Sequence, residues 1–223
     1  MPFVKSEYDS IRLKDTFTHA YEQSGFEETF EGAEGRYGYY RNKFNLDYVR
    51  DISKQFTVIA RYTNQIDKLS RKDLKDSYLN TLGFEADYIY NADTVFLMSY
   101  DFSKRTYDDA RAISIHTVAA SIRRYITKQL YFDGTGGVDF ITSFKDTEDT
   151  GEYIQGSLTD EIDENTAISL SFTKRKQTSS YREDFFDSWR ISGLFKRQLL
   201  ERLDCSLSGF YGEGEFKSLN LMD

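Results

Sequence analysis

Apolar and polar residues alternate along most of this chain with a period of two. The segment 81–90 carries Leu82, Phe84 and Tyr88 at even positions and Glu85 and Asp87 at odd positions. Because successive side chains of a β-strand point to opposite faces, this pattern predicts strands with one apolar and one polar face. The same alternation recurs in the segments 43–48, 56–62, 94–103, 167–173 and 203–208.

The pattern predicts eleven strands, and residues 3–7 are interpreted as the remnant of a twelfth. Their lengths of roughly 10–15 residues suit a tilted membrane strand of about 9–11 residues with an extension beyond the bilayer. The final residue is Asp223 and not an aromatic residue, which favours a chain truncated at one or both ends. The eleven predicted strands are 12–23, 37–50, 55–66, 79–90, 94–106, 111–125, 129–143, 151–161, 166–177, 186–198 and 203–216.

A short turn sequence recurs along the chain. The segment ISKQ at 52–55 resembles ITKQ at 126–129, and looser copies begin at Asn91, Ile162 and Leu199. The copies begin 35–39 residues apart. A fixed period of this length indicates a repeated structural unit. Each unit holds two strands and a longer polar connection, so we expect short turns to alternate strictly with long loops. The predicted loops are 24–36, 64–78, 103–111, 144–152 and 174–187.

These features predict an all-β fold, an antiparallel up-and-down transmembrane β-barrel of about 12 strands, with residues 1–223 as a single barrel domain. A soluble sandwich, propeller or solenoid has the same alternation and remains an alternative. Long strands, alternating turn lengths and tyrosines near strand ends favour the membrane barrel over these soluble folds. Those tyrosines lie at 37–40, 88, 90, 125 and 131.

Composition agrees with long strands and excludes several classes of protein. The chain has 17 Tyr and 18 Phe but a single Pro, which would interrupt a strand. The net charge is -8 and basic residues are scattered, so a nucleic-acid partner is not expected. Cys205 is the only cysteine, which excludes a disulfide within the chain. The first residues lack the apolar segment of a signal peptide, so we expect that it was removed or that the chain is a fragment.

The sequence predicts no enzyme, cofactor or metal site. His19 and His116 are the only histidines, fall on different predicted strands and are interpreted as wall residues. Motifs of hydrolases, phosphate-binding loops and dinucleotide-binding folds are absent. The glycine-rich stretch 134–137 is interpreted as a bend or as room for a neighbouring aromatic ring. Acidic residues around 27–34 and 146–149 are candidate Ca²⁺ ligands, but a solvated loop is the favoured interpretation.

Charged residues on the polar face of the predicted strands are the candidate functional residues. A charge facing lipid is costly, by about 2–4 kcal/mol for a basic residue at the midplane, so these side chains should face a wet lumen. They either give the lumen a mild ion preference or pair across it and stiffen the wall. The candidates are Lys43, Asp47, Arg61, Glu85, Asp87, Asp101, Asp133, Asp139, Arg190, Lys196 and Asp204.

The repeated turn and the long alternating strands resemble the outer-membrane β-barrel porins often encoded beside exopolysaccharide-export genes. They are less similar to the large barrels that sheath multihaem cytochromes. The resemblance implies a bacterial outer membrane, contacts with lipid and lipopolysaccharide, and a periplasmic or polysaccharide-export partner. It implies a conduit for a small hydrophilic solute or for polysaccharide-linked export. The alternatives are a soluble carbohydrate-binding module using Tyr and Trp189, and a structural barrel that sheaths a periplasmic partner.

Overall fold

The computed structural model of the chain describes residues 2–5, 9–20, 38–70, 75–143, 148–179, 185–200 and 203–216. These residues form twelve β-strands. They contain no helix that is long and apolar enough to cross a membrane. The strands are β1 (Pro2–Lys5), β2 (Asp9–Ala20), β3 (Tyr39–Asp51), β4 (Phe56–Leu69), β5 (Ser77–Asn91), β6 (Thr94–Tyr107), β7 (Ala112–Tyr125), β8 (Leu130–Thr142), β9 (Glu148–Asp163), β10 (Thr166–Thr178), β11 (Phe185–Leu200) and β12 (Leu203–Phe216).

All twelve strands belong to one sheet, in which each strand pairs with the next along the chain. Every pair is antiparallel. The predicted all-β, antiparallel up-and-down fold class is therefore confirmed. Within the described residues β1 and β12 are the two edges of the sheet, with no ladder between them.

The short turns are held by two sets of local hydrogen bonds. In the first set, the hydroxyl of Ser53 accepts from the N–H of Gln55, and the hydroxyl of Thr127 accepts from the N–H of Gln129, each at 3.2 Å. In the second, Asn91 Oδ1 accepts from Asp93 N at 2.9 Å, and Asp163 Oδ1 accepts from Asn165 N at 2.8 Å. These side chains satisfy backbone donors that a turn would otherwise leave unpaired.

Each of these short turns also bonds to the next strand but one. The carbonyl groups of Gln55, Asp93, Gln129 and Asn165 accept from backbone N–H groups of later strands. The repeated turns therefore form a continuous rim at one end of the strands. We call it the turn rim and define it by residues 52–55, 92–93, 126–129 and 164–165. The loop rim is at the other end of the strands, where β2–β3, β4–β5, β6–β7, β8–β9 and β10–β11 connect.

The prediction that short and long connections alternate strictly is wrong for the connection between β6 and β7, which is short. The predicted loop 103–111 is mostly strand, and only residues 108–111 connect the two strands. Tyr107 N donates to the carbonyl of Arg111 at 2.9 Å, and Asp109 Oδ1 accepts from Arg111 N at 3.2 Å. Ala110 completes the turn with a φ of 67°. The polar side chains that suggested a long loop instead satisfy the backbone of a tight turn.

The two faces of the sheet differ as the alternation predicts. The outer face exposes large apolar side chains, such as Phe84 at 48%, Met98 at 68% and Leu170 at 56% exposure. The inner face carries Arg61 and Glu85, which form an ion pair. The sheet curves around this inner face, which is shown by hydrogen bonds between side chains of strands that are not neighbours in the sheet.

The inner face is packed with apolar side chains near the loop rim. Tyr107, Ile113, Ile115, Ile141 and Phe185 form a buried cluster contributed by β6, β7, β8 and β11. Tyr107 Oη also donates to the carbonyl of Ser179 at 2.8 Å. The sequence pattern did not predict this cluster, because the inner face was expected to be polar along its whole length.

Candidate functional site

The structure places all eleven predicted wall residues on the inner face. Residues directly opposite in an antiparallel pair lie on the same face. The register Asp47–Arg61–Gly83–Asp101–Thr117–Asp139 runs across six strands in one row. The two-residue period along each strand puts the others on this face, namely Lys43, Glu85, Asp87, Asp133, Arg190, Lys196 and Asp204. That this face bounds a conducting lumen remains a prediction.

Arg61, a member of this row, forms an ion pair with Glu85 on the neighbouring strand β5. Arg61 Nη1 lies 3.0 Å from Glu85 Oε2, and Arg61 Nη2 lies 2.7 Å from Glu85 Oε1. Gly83 separates Arg61 from Asp101 in the register. A Cβ atom at position 83 would collide with Asp101 Oδ1 and lie 3.7 Å from Cβ of Arg61. The missing side chain therefore leaves room for the Asp101 carboxylate beside Arg61.

A second ion pair lies closer to the turn rim. Arg123 Nε donates to Asp133 Oδ1 at 2.6 Å, and the guanidinium lies 5.3 Å from the centre of the Tyr131 ring. Tyr131 packs against Tyr125 with ring centres 5.3 Å apart. Both tyrosines share the parity of Arg123 and Asp133, so they lie on the inner face and not on the outer face, where tyrosines of a membrane barrel contact the lipid interface. Tyr88 and Tyr90 do lie on the outer face, at 44% and 61% exposure.

A buried polar network joins β3, β4, β5, β6 and β10 near the loop rim. The carboxylate of Asp67 accepts from Arg41 Nε at 2.5 Å, from Gln65 at 2.8 Å and from Arg105 Nη1 at 2.9 Å. Arg105 also donates to Ser77 at 2.8 Å and to Thr178 at 3.2 Å. Arg105 and Asp67 are both almost fully buried. This network shows that the sheet curves enough to bring β4 and β10 to one arginine.

Next to this network, Asp139 and Arg175 form a looser pair. Asp139 is fully buried and accepts from Thr117 Oγ1 at 2.5 Å. Arg175 Nη2 lies 3.7 Å from Asp139 Oδ1, which is too long for a hydrogen bond. The Arg175 guanidinium lies 4.7 Å from the centre of the Tyr153 ring. Arg175 Nε and Asp139 Oδ2 are both buried without a hydrogen-bond partner among the described residues.

Sequence reasoning missed Arg41, Asp67, Arg105 and Arg175, which dominate the loop rim. A signal for two of them existed, since Asp67 continues the parity of Arg61 along β4 and Arg105 continues that of Asp101 along β6. Both were assigned to the predicted loops 64–78 and 103–111. The strands continue further than the apolar alternation, because buried polar pairs replace apolar residues at their ends.

Two of the predicted residues belong to a different part of the inner face. Lys196 and Asp204 line an open cleft of about 640 Å³ at the turn rim, together with Asp163, Glu164 and Asn165. Four acidic residues, Glu161, Asp163, Glu164 and Asp204, and two basic residues, Lys196 and Arg197, line this cleft. The charge of its lining is therefore negative on balance.

The remaining sequence candidates show no reactive arrangement. His19 stacks on Tyr40 with ring centres 4.3 Å apart, and His116 Nδ1 lies 2.8 Å from Tyr100 Oη on the outer face. Cys205 is exposed on β12. The described part of the chain holds no group of three or more potential metal ligands. The acidic residues 27–34 and residue 146 lie outside the described residues, and Asp149 binds Lys176 at 2.6 Å.

The glycine-rich stretch on β8 makes room for a neighbouring ring, as one of its two interpretations predicted. A Cβ atom at Gly134 would lie 2.8 Å from the edge of the Phe132 ring. Gly156 on β9 lies on the other side of the same ring. Phe132 therefore lies over two glycines on the outer face.

Comparison with known proteins adds little to this description. No protein-family model matches the chain, and no curated protein matches it. Among solved structures it is similar to the translocator domain of autotransporter NalP from Neisseria meningitidis, over 94% of this chain and 84% of that one. The TM-score is 0.47 and the identity is 8%. The fold assignment therefore rests on the strand order and register of the chain itself.

Proposed function

We propose that the chain forms the wall of a bacterial outer-membrane β-barrel that conducts a small hydrophilic solute. The observation that supports it is the division between the two faces, with large apolar side chains exposed outside and ion pairs inside. In water, such an extended apolar surface would promote association. In a bilayer it would contact lipid, while the charges would face the lumen.

A membrane location requires that the sheet close. Unpaired backbone groups at a sheet edge are costly in lipid, so only closed barrels span membranes as sheets. An up-and-down sheet with an even number of strands brings its first and last strands antiparallel, so β1 and β12 have the directions needed to pair. Closure between them, or through further strands, is part of the proposal.

The orientation and partners follow from the same proposal. Membrane barrels carry short turns on the periplasmic side and longer loops outside. The turn rim would thus face the periplasm, and the loop rim would contact lipopolysaccharide. A role beside polysaccharide export, with a periplasmic or export partner, rests on the sequence resemblance alone.

Two measurements test the proposal in sequence. The chain folded in detergent should run faster on a gel before heating than after heating, and it should precipitate when detergent is withdrawn. Folded protein in a planar bilayer should then give discrete conductance steps. A monomeric chain that stays soluble in plain buffer would exclude the membrane location.

A second candidate is a barrel that sheaths a periplasmic partner and conducts nothing. It is favoured by the apolar cluster and the polar network that fill the inner face near the loop rim. The bilayer experiment separates the candidates, since a folded barrel that carries no current supports the sheath and contradicts the conduit.

A further inference from the structure

A small cavity, open to solvent on one side, lies on the inner face between the Asp67 network and the Asp139–Arg175 pair. Its volume is about 200 Å³, large enough for a small anion and some water. The walls come from β5, β6, β7 and β10. The lining residues are Leu79, Ser103, Arg105, Ile115, Arg175, Lys176, Gln177 and Thr178.

The charged residues that line this cavity are all positive. They are Arg105, Arg175 and Lys176, and none of the lining residues is a carboxylate. Ser103, Thr178 and Gln177 add hydroxyl and amide donors. Three cations and several neutral donors around one small space are the chemistry that recognises oxyanions.

The carboxylates that partner these cations lie outside the lining and hold the cations in place. Asp67 is shared by Arg41 and Arg105, so a single carboxylate serves two guanidinium groups. Lys176 Nζ binds Asp149 Oδ2 and the carbonyl of Thr150, each at 2.6 Å. Arg105 and Lys176 are thus fixed by neighbours and do not need a ligand to order them.

Arg175 is the cation whose hydrogen bonds are incomplete. Its ion pair with Asp139 is too long for a hydrogen bond, and its Nε is buried without an acceptor in the described part of the chain. A buried donor without an acceptor is destabilising, because it has lost its hydrogen bonds to water and gained none in return. An anion in the cavity would supply an acceptor to a guanidinium that Tyr153 already orients.

We propose that this cavity binds a small oxyanion, either phosphate or the carboxylate of a sugar acid, through Arg105, Arg175 and Lys176. The site requires the folded inner face only. It does not require that the barrel conduct, so a failure of conduction leaves this proposal standing.

The test is calorimetric titration of the full chain folded in a non-ionic detergent, without phosphate in the buffer. Inorganic phosphate and glucuronate are the two probes, and glucose is the neutral control. We expect saturable binding of at least one anion and none of glucose. Phosphate binding alone identifies a free oxyanion site, whereas glucuronate binding identifies a sugar-acid site.

Variants locate the binding in this cavity. Arg175→Gln should weaken anion binding at least tenfold, whereas Arg123→Gln, which removes a cation of the inner face that does not line the cavity, should leave it unchanged. If Arg175→Gln does not fold, Ser103→Ala provides the test instead. It removes a single lining hydroxyl and should weaken anion binding several-fold. Absence of binding by the folded wild-type chain, or equal losses in Arg175→Gln and Arg123→Gln, would overturn the proposal.

Discussion

Two neighbouring glycines on β8 show how strongly the surroundings of a single residue differ between the two faces. A Cβ atom at Gly137 would lie 2.5 Å from the carbonyl oxygen of Val118 and 2.7 Å from Cβ of Ala119. A Cβ atom at Gly136 would meet nothing within 4 Å. The close approach at Gly137 involves backbone on β7, which a side-chain rotation cannot relieve.

Substitution of these glycines should therefore have unequal effects. Gly137→Ala should lower the free energy of unfolding by about 1–3 kcal/mol, because β7 and β8 must move apart. Gly136→Ala should be neutral or stabilising by about 0.4–1 kcal/mol, because it restricts the unfolded chain. Urea unfolding of the chain folded in lipid vesicles measures both. Equal losses in the two variants would contradict the packing described for β7 and β8.

Asp67 is the residue whose charge matters most for the loop rim. Removing one partner of a buried ion pair costs about 3–5 kcal/mol, because the other charge remains buried. Asp67→Ala leaves the buried Arg105 guanidinium without its carboxylate partner. We therefore expect the free energy of unfolding to fall by this amount in the same urea experiment. The matched control is Glu152→Ala, whose partner Lys174 is exposed and whose loss should cost less than about 1 kcal/mol. A similar small cost for Asp67→Ala would show that the network does not stabilise the fold.

Single turns are the elements that the sequence predicted best. The match between ISKQ and ITKQ indicated a repeat, and the two turns share the same hydrogen bonds from Gln55 and Gln129. Strand positions were also predictable, because one face of each strand is apolar. The β6–β7 connection was not, since aspartates such as Asp108 and Asp109 occur in long loops as well as in tight turns.

The stability of the turn between β9 and β10 should depend on pH. The N–H of Asn165 donates to Asp163, which lowers the pKa of that carboxyl group. A lowered pKa means that the ionised carboxylate stabilises the turn above the unfolded pKa, and that this contribution is lost as the pH falls through the folded pKa. Hydrogen exchange of the Asn165 amide should therefore lose protection in acid.

The turn at Asn91 provides the control in the same molecule. Its side-chain amide makes the equivalent bond to Asp93 N and does not titrate. Protection of the Asp93 amide should remain unchanged over the same pH range. Parallel loss of protection at both amides would show that the whole turn rim opens, and would exclude Asp163 as the cause.

For the whole molecule, the sequence predicted which residues share a face but not which strands meet across the interior. Alternation is a property of one strand, whereas the contact of Arg105 with both Asp67 and Thr178 depends on how the seven strands from β4 to β10 curve together. The apolar cluster around Ile113 and Ile141 depends on the same curvature. For this reason the filled loop rim and its cavity were visible only in the structure.

The central claim is that the outer face contacts lipid, and the single tryptophan of the chain tests it directly. Trp189 packs against Tyr211, with ring centres 5.6 Å apart, on the outer face of β11 and β12. The same two rings would form the binding surface if the chain were a soluble carbohydrate-binding module. The measurement is Trp189 fluorescence of the folded chain in vesicles whose acyl chains carry bromine, compared with unbrominated vesicles. We predict strong quenching by the brominated lipid and little quenching by aqueous iodide. Emission that is unaffected by brominated lipid but quenched by iodide would contradict the account.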